Sequence, residues 1–272
     1  MPRSELQKGF TLVEAVLVIT LTGIVAGIVS VFIVAPVRSY LASSARAQLV
    51  DQADTALRRI GRDIAVALPN SVRTLSSAGG ASLELIPSSG AARYATEGAG
   101  RLDFGVADNA FDLVGPGLAL ASGQQLVFYN LGADNPDADA YVGANRRSAS
   151  NGAGLASSIT MSNAAGLPVA LATPPYRVFA VEQPVSYRCD LAAATLTRYS
   201  GYGFVAAQPD PPAGGSAALL ARGVKACSFS YSAAAAAARA ALVTLRLTLQ
   251  STAASGDETI TLHHALHVDN QP

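Results

Sequence analysis

The chain has no tryptophan, only two cysteines and only three histidines among its 272 residues. Charged side chains make up 14% of it, and the 19 basic and 19 acidic residues cancel. Each scarcity narrows the function. A net charge of zero with no basic stripe gives no sign of a nucleic-acid partner, and none is expected. Cys189 and Cys227 allow one disulfide, or two buried free thiols. The histidines, His263, His264 and His267, all sit near the C-terminal end with no cysteine or carboxylate cluster at ligand spacing; Asp269 alone is near. In a strand His263 and His267 would share one face and His264 the other, so ordinary strand positions fit better than zinc. No Gly-x-Ser-x-Gly, Ser-x-x-Lys or phosphate-loop pattern occurs, and Gly201-Tyr202-Gly203-Phe204 is too short for a dinucleotide fingerprint. The chain therefore reads as no enzyme, with no cofactor.

What is present in excess is apolar residue, at 50%. Much of it is alanine, which buries little area per residue. The rest is concentrated in Phe10–Ala35, a run whose one charge is Glu14. At 1.5 Å per residue this run is about 39 Å long, enough to cross a hydrocarbon core. It is too long for an ordinary secretory signal core, and no convincing Ala-x-Ala site follows it. A lone carboxylate in lipid costs roughly a few kcal/mol, so Glu14 needs something to meet it. Gly23 and Gly27 form a Gly-x-x-x-Gly pair. It is either the ordinary glycine of membrane helices or a close-packing and stretchable site. The first proline after the leader, Pro36, places any kink at the membrane exit.

The string Lys8-Gly9-Phe10-Thr11-Leu12-Val13-Glu14 ahead of that run resembles the leader of type IV prepilins and type II secretion pseudopilins. The resemblance implies a membrane peptidase that cuts between Gly9 and Phe10 and methylates the new amine of Phe10. It implies that Glu14 pairs with the N-terminal amine of a neighbouring subunit during assembly. It also implies a cytoplasmic leader and an exported remainder, in which an oxidising compartment favours the Cys189–Cys227 bridge. Arg3 and Lys8 before the run support that orientation, and Arg38 and Arg46 beyond it weaken the charge argument.

Beyond Pro36 apolar residues recur at helical spacing: Leu49, Val50, Ala53, Ala56, Leu57, Ile60, Ile64 and Leu68. The other face carries Arg46, Asp51, Asp54, Arg58, Arg59, Arg62 and Asp63, with Asp54 and Arg58 in the favourable i,i+4 order. Pro69-Asn70 closes the pattern. One helix is expected from Phe10 to Leu68, its second half amphipathic and in need of a sheet. Strands are expected at Ser82–Ile86, Arg101–Val106, Gln125–Asn130, Tyr176–Glu182, Val185–Asp190, Thr195–Ser200, Val224–Tyr231, Ala241–Gln250 and Thr259–Val268. Ser255-Gly256-Asp257-Glu258 reads as a hairpin turn, Leu131–Pro175 and Ala206–Ser216 as surface loops, and Ala233–Ala238 as a short helix or padded loop. Asp134, Asp137 and Asp139 offer oxygen ligands for calcium but lack the glycine turn and terminal glutamate of an EF-hand, so a solvated acidic turn is the plainer reading. The fold class is α+β: a leader over 1–9, a transmembrane helix half over 10–35, an amphipathic half over 36–69, and a β-rich domain over 70–272 built on an antiparallel sheet.

Six further blocks narrow the resemblance: Ala56-Leu57-Arg58-Arg59-Ile60-Gly61-Arg62-Asp63, Ala67-Leu68-Pro69-Asn70-Ser71-Val72-Arg73, Tyr187-Arg188-Cys189-Asp190, Arg198-Tyr199-Ser200-Gly201-Tyr202-Gly203, Cys227-Ser228-Phe229-Ser230-Tyr231 and His264-Ala265-Leu266-His267-Val268-Asp269-Asn270. They are similar to minor pilins of the mannose-sensitive haemagglutinin (MSHA) pilus. That resemblance implies a role in priming assembly or in the tip complex. It implies as partners the prepilin peptidase, other minor pilins and the major pilin, the inner-membrane assembly platform and the lipid bilayer. Two alternatives stay open: a minor pseudopilin of a type II secretion system, and a pilin-anchored adhesin or binding module supported only by the Leu131–Pro175 stretch.

Overall fold

A computed structural model describes residues 9–162, 165–232, 240–253 and 256–272. Residues 1–8 of the expected leader, the alanine tract Ala233–Ala238 and Ser255 of the expected turn lie outside the described residues. The chain divides into two units, Met1–Gln48 with Ser251–Glu258, and Leu49–Gln250 with Thr259–Pro272.

The helix starts where a cap is available. Thr11 holds extended backbone (φ −82°, ψ 149°) and its hydroxyl accepts the N–H of Glu14 at 3.3 Å, which satisfies one orphan donor of the first turn. Helix α1 (Leu12–Val29) is apolar on every side and buries none of its residues, the signature of a segment made for lipid or for a bundle of like helices. Its two interior hydroxyls are silenced locally: Thr20 donates to the Val16 carbonyl at 2.8 Å and Thr22 to that of Val18 at 2.7 Å. A π-helical turn, Ser30–Val34, joins α1 to α2 (Ala35–Ala65). Pro36 has no N–H to give the Phe32 carbonyl, and its ring crowds that carbonyl. The helix passes this point with a wider turn rather than a break. This continuous helical run is long and apolar enough at its N-terminal end to cross a membrane.

The helix ends at Ala65, not Leu68. The last residues of the expected pattern are taken by the sheet: the Leu68 N–H bonds the Ile86 carbonyl at 2.7 Å, and the Ser88 N–H bonds that of Val66 at 2.7 Å. The Asp54–Arg58 pair forms at 2.6 Å. The stripe Leu49, Ala53, Ala56, Leu57, Ile60 and Ile64 is buried, while Val50 is exposed. Asp63, expected on the solvent face, is buried among the core residues of the helix.

The strands are β1 (Arg73–Ser77), β2 (Gly80–Leu85), β3 (Ser88–Tyr94), β4 (Ala110–Val114), β5 (Leu118–Leu120), β6 (Gln125–Phe128), β7 (Arg146–Ser148), β8 (Gly154–Ala156), β9 (Ser158–Thr160), β10 (Arg177–Val181), β11 (Val185–Asp190), β12 (Thr195–Ser200), β13 (Ser216–Arg222), β14 (Val224–Ser232), β15 (Ala240–Ala253) and β16 (Gly256–Asp269). Their ladders are antiparallel. One sheet has the order β1-β2-β11-β12-β13, a second β14-β15-β16, a third β7-β6-β10-β3-β4-β9, and β5 pairs with β8. The arrangement is α+β.

The first two sheets close on α2. Leu83, Leu85, Val185, Tyr187 and Leu196 of one, and Phe229, Val243, Leu245 and Leu247 of the other, share one core with the helix stripe. This is the partner the amphipathic pattern required. The third sheet builds a separate core around Tyr94, whose ring lies 5.8 Å from Phe104, 6.3 Å from Phe111 and 6.0 Å from Phe128. Arg101–Val106 is irregular rather than a strand: Leu102 packs into that core without joining a ladder. Leu131–Pro175 is not a surface loop. It contains β7, β8 and β9 and buries Ala140, Tyr141, Ile159, Met161 and Leu167. Gly256–Glu258 belong to β16 rather than to a turn.

Candidate functional site

Gly9 and Phe10 precede the cap residue as exposed, non-helical backbone. Phe10 is 72% exposed, and a Cβ added at Gly9 would meet nothing within 4 Å. The fold therefore makes no demand for glycine at this position. The demand must come from whatever reads the sequence. The peptide bond between them is open to a protease.

Glu14 is the third residue of α1, and Thr11-x-x-Glu14 has the spacing of a capping box. The positive end of the helix dipole favours a carboxylate there. Its side chain is exposed and makes no hydrogen bond or ion pair with a described residue. It is the one acidic group of an apolar helix. Gly23 and Gly27 also face open space, with nothing within 4 Å of an added Cβ. Among the described residues no contact calls for glycine at either position.

Cys189 and Cys227 form a disulfide, Cα–Cα 6.6 Å, that ties β11 of the five-stranded sheet to β14 of the three-stranded one. The histidines do not converge. His263 and His267 share the exposed face of β16, and His264 turns inward, 4.0 Å from Asp54. Asp134, Asp137 and Asp139 do not converge either. Asp139 is buried and its carboxylate accepts the Tyr141 N–H at 2.8 Å, while Asp134 and Asp137 point to solvent. Among the described residues no three His, Cys, Asp or Glu side chains gather to hold a metal.

Sequence reasoning missed two polar networks. Asp63 accepts the Tyr187 hydroxyl at 2.7 Å and the Arg198 Nε at 2.9 Å, which pins α2 to β11 and β12. Glu84 on β2 is fully buried. One of its oxygens accepts Arg73 Nε at 2.6 Å and the other the Tyr202 hydroxyl at 2.6 Å. Arg73 spends its remaining donors on the carbonyls of Ala206 (2.6 Å) and Val205 (2.8 Å), and its guanidinium stacks 3.5 Å from the Tyr141 ring centre. Burial raises the Glu84 pKa despite its bonds to Arg73 and Tyr202. Burial first, then the bond to Asp63, raises that of Tyr187. At the helix exit Asn270 bonds the Asn70 N–H at 3.2 Å and the Tyr231 hydroxyl at 2.8 Å. These residues fall largely within the six blocks noted in the sequence, which lie far apart in the chain and meet in space. The blocks are structural locks, not reactive groups, and only the blocks hinted at them.

An N-terminal apolar helix with an open Gly9-Phe10 bond and one unpartnered carboxylate is a defined pattern. Residues 6–30 match the prokaryotic N-terminal methylation motif. No curated protein and no solved structure matches the chain. The methylation motif is the mark of type IV pilin- and pseudopilin-like proteins, whose work is structural rather than catalytic. With its long exposed helix, the motif is consistent with a membrane-anchored protein that crosses the bilayer once.

Proposed function

We propose that this chain is a minor pilin of a type IV pilus of the MSHA type, similar to the minor pilin MshO, acting in assembly initiation or in the tip complex. The observation that carries the reading is the lone unpartnered carboxylate of Glu14 in an otherwise apolar, wholly exposed helix behind a methylation motif. In this mechanism prepilin peptidase removes Met1–Gly9 and the amine of Phe10 is methylated. The subunit waits in the inner membrane with its C-terminal part in the periplasm. The assembly platform then moves α1 into a bundle of like helices. There Glu14 meets the amine of a neighbouring subunit, and a paired charge loses most of its burial cost. Because the chain keeps the glutamate, it has a subunit ahead of it to greet and sits beneath the apex of the fibre. The MSHA assignment rests on the resemblance of the six sequence blocks alone, and a minor pseudopilin of a type II secretion system is the alternative.

Intact-mass analysis of the chain purified from native membranes tests this. The expected species starts at N-methylated Phe10. Loss of Arg3, Lys8 and Glu5 takes 19 basic and 19 acidic side chains to 17 and 18, a net −1. A mature start at any other residue sinks the reading.

A further inference from the structure

An open sheet edge is a row of unpaired N–H and C=O groups, and proteins normally guard it with charge, proline, shortness or cover. Four other edges of this chain can be set beside β13. β7 and β9 are three residues long, and β7 carries Arg146 and Arg147. β16 carries Asp257, Glu258, His263, His264 and His267. β1 lies against β14 and holds Arg73, locked to Glu84. β13 is the least guarded of these, with a single charge, Arg222, at its very end. It is the last strand of the five-stranded sheet, and among the described residues it is hydrogen-bonded to β12 alone. Its seven residues, Ser216-Ala217-Ala218-Leu219-Leu220-Ala221-Arg222, hold no charge before Arg222. Ser216 to Leu219 are exposed, Leu219 by 44%. Arg222 is exposed and makes no ion pair with a described residue.

We propose that the free edge of β13 is a docking strand that accepts, by main-chain hydrogen bonding, an extended segment of a neighbouring pilin of different sequence. The segment is uncharged where it faces Ala217–Ala221 and carries a carboxylate at the end that faces Arg222. The chemistry of the edge specifies a strand, because only extended backbone satisfies a row of alternating donors and acceptors. The lone cation at one end sets its direction. A second copy of this chain fits less well. Antiparallel self-pairing centred on Leu219 places Arg222 opposite Ser216, leaving both cations unanswered. It is also a twofold contact that closes on itself, whereas a growing fibre needs a head-to-tail one. The proposal rests on the minor-pilin reading and adds to it a surface outside the helix bundle.

The test uses the full-length chain in native membranes and pili, with a photo-crosslinking amino acid placed at Ala217, at Leu155 on β8 as an exposed control, or at Leu17 on α1 as a reporter of bundle entry. The Ala217 probe should yield an adduct that mass spectrometry identifies as a different protein with an N-terminal methylation motif, while the Leu155 probe does not. Adding Leu219→Lys, the charge that guards natural edges, should cut the Ala217 adduct roughly tenfold. It should leave the Leu17 adducts and the Cys189–Cys227 link unchanged. An adduct with a second copy, with a protein lacking the motif, or none at all while Leu17 still crosslinks to pilins overturns the docking strand alone. Loss of pilin adducts at Leu17 as well overturns the assembly reading and the docking strand with it.

Discussion

At the scale of single residues, carboxylates divide by whether their partner is local. Glu14 was legible because its oddity is local, one charge in an apolar run. Glu84 was not, because Tyr202 is 118 residues away and Arg73 lies on another strand. Asp63 was misplaced for the same reason: helical periodicity assigns a carboxylate to solvent, and only Tyr187 and Arg198 make its burial tolerable. The balance at Glu84 has a measurable sign. Desolvation outweighs the hydrogen bonds and raises its pKa above 4.5. The folded state thus holds this proton more tightly than the unfolded chain. The stability Glu84 contributes is fully present below pH 4.5 and is lost as pH rises through its folded pKa. Chemical denaturation of the detergent-solubilised chain should show this component, and Glu84→Gln should lack it. Arg73→Ala strands the buried carboxylate and should cost about 3–5 kcal/mol at neutral pH. A wild-type pH slope in Glu84→Gln would show that the group titrates as it does in water.

Secondary-structure elements were legible where side-chain chemistry and backbone state agree. β11 and β12 fall on the expected Val185–Asp190 and Thr195–Ser200, since branched and aromatic residues alternate there. β3 (Ser-Ser-Gly-Ala-Ala-Arg-Tyr) and β13 (Ser-Ala-Ala-Leu-Leu-Ala-Arg) carry no such signal. Their extended state is imposed by β10 and β12, whose ladders they complete. Leu131–Pro175 carries no strand signal because its strands are three residues long, too short for a period to register. The disulfide is the strongest statement about how elements are joined. It closes a sequence separation of 38 and fastens two sheets that share one core. In the chain-entropy model such a loop is worth about 4 kcal/mol. Cys227→Ser should lower the melting temperature accordingly. The amount inserted in the membrane should stay unchanged, because the apolar length of α1 sets insertion. Equal melting temperatures for the variant and the oxidised wild type would show that the bridge adds nothing the shared core does not already supply.

For the whole molecule, the N-terminal segment could be read residue by residue because membrane physics is a matter of length and polarity along one helix. The globular part could be read only as a class, because its locks join residues that are distant in sequence, among them Asp63 with Tyr187 and Glu84 with Tyr202. The two parts meet in one question: whether Glu14 serves its own helix or another subunit. Its place in the first turn, three residues after Thr11, gives it a local use in the field of the helix dipole. Its exposure and lack of a partner give it an intermolecular one. Glu14→Ala separates them. The Thr11 hydroxyl still has the N–H of residue 14 to accept, the Gly9-Phe10 bond is untouched, and the span loses its only charge, so insertion and cleavage should match wild type or exceed it. Assembly should fail, because a neighbour's amine would then be buried without its counter-charge, at a cost of several kcal/mol. That corresponds to a fall of roughly a hundredfold or more in incorporation, read as crosslinking of the mature variant to other pilins and as surface pilus counts. Glu14→Gln keeps the shape and one acceptor and should fail less completely. Thr11→Ala is the counter-test: it removes the cap, costs the helix about 1 kcal/mol, and leaves the carboxylate in place, so it should still assemble. Should Glu14→Ala assemble at wild-type levels while Thr11→Ala does not, the carboxylate belongs to the helix and not to the fibre.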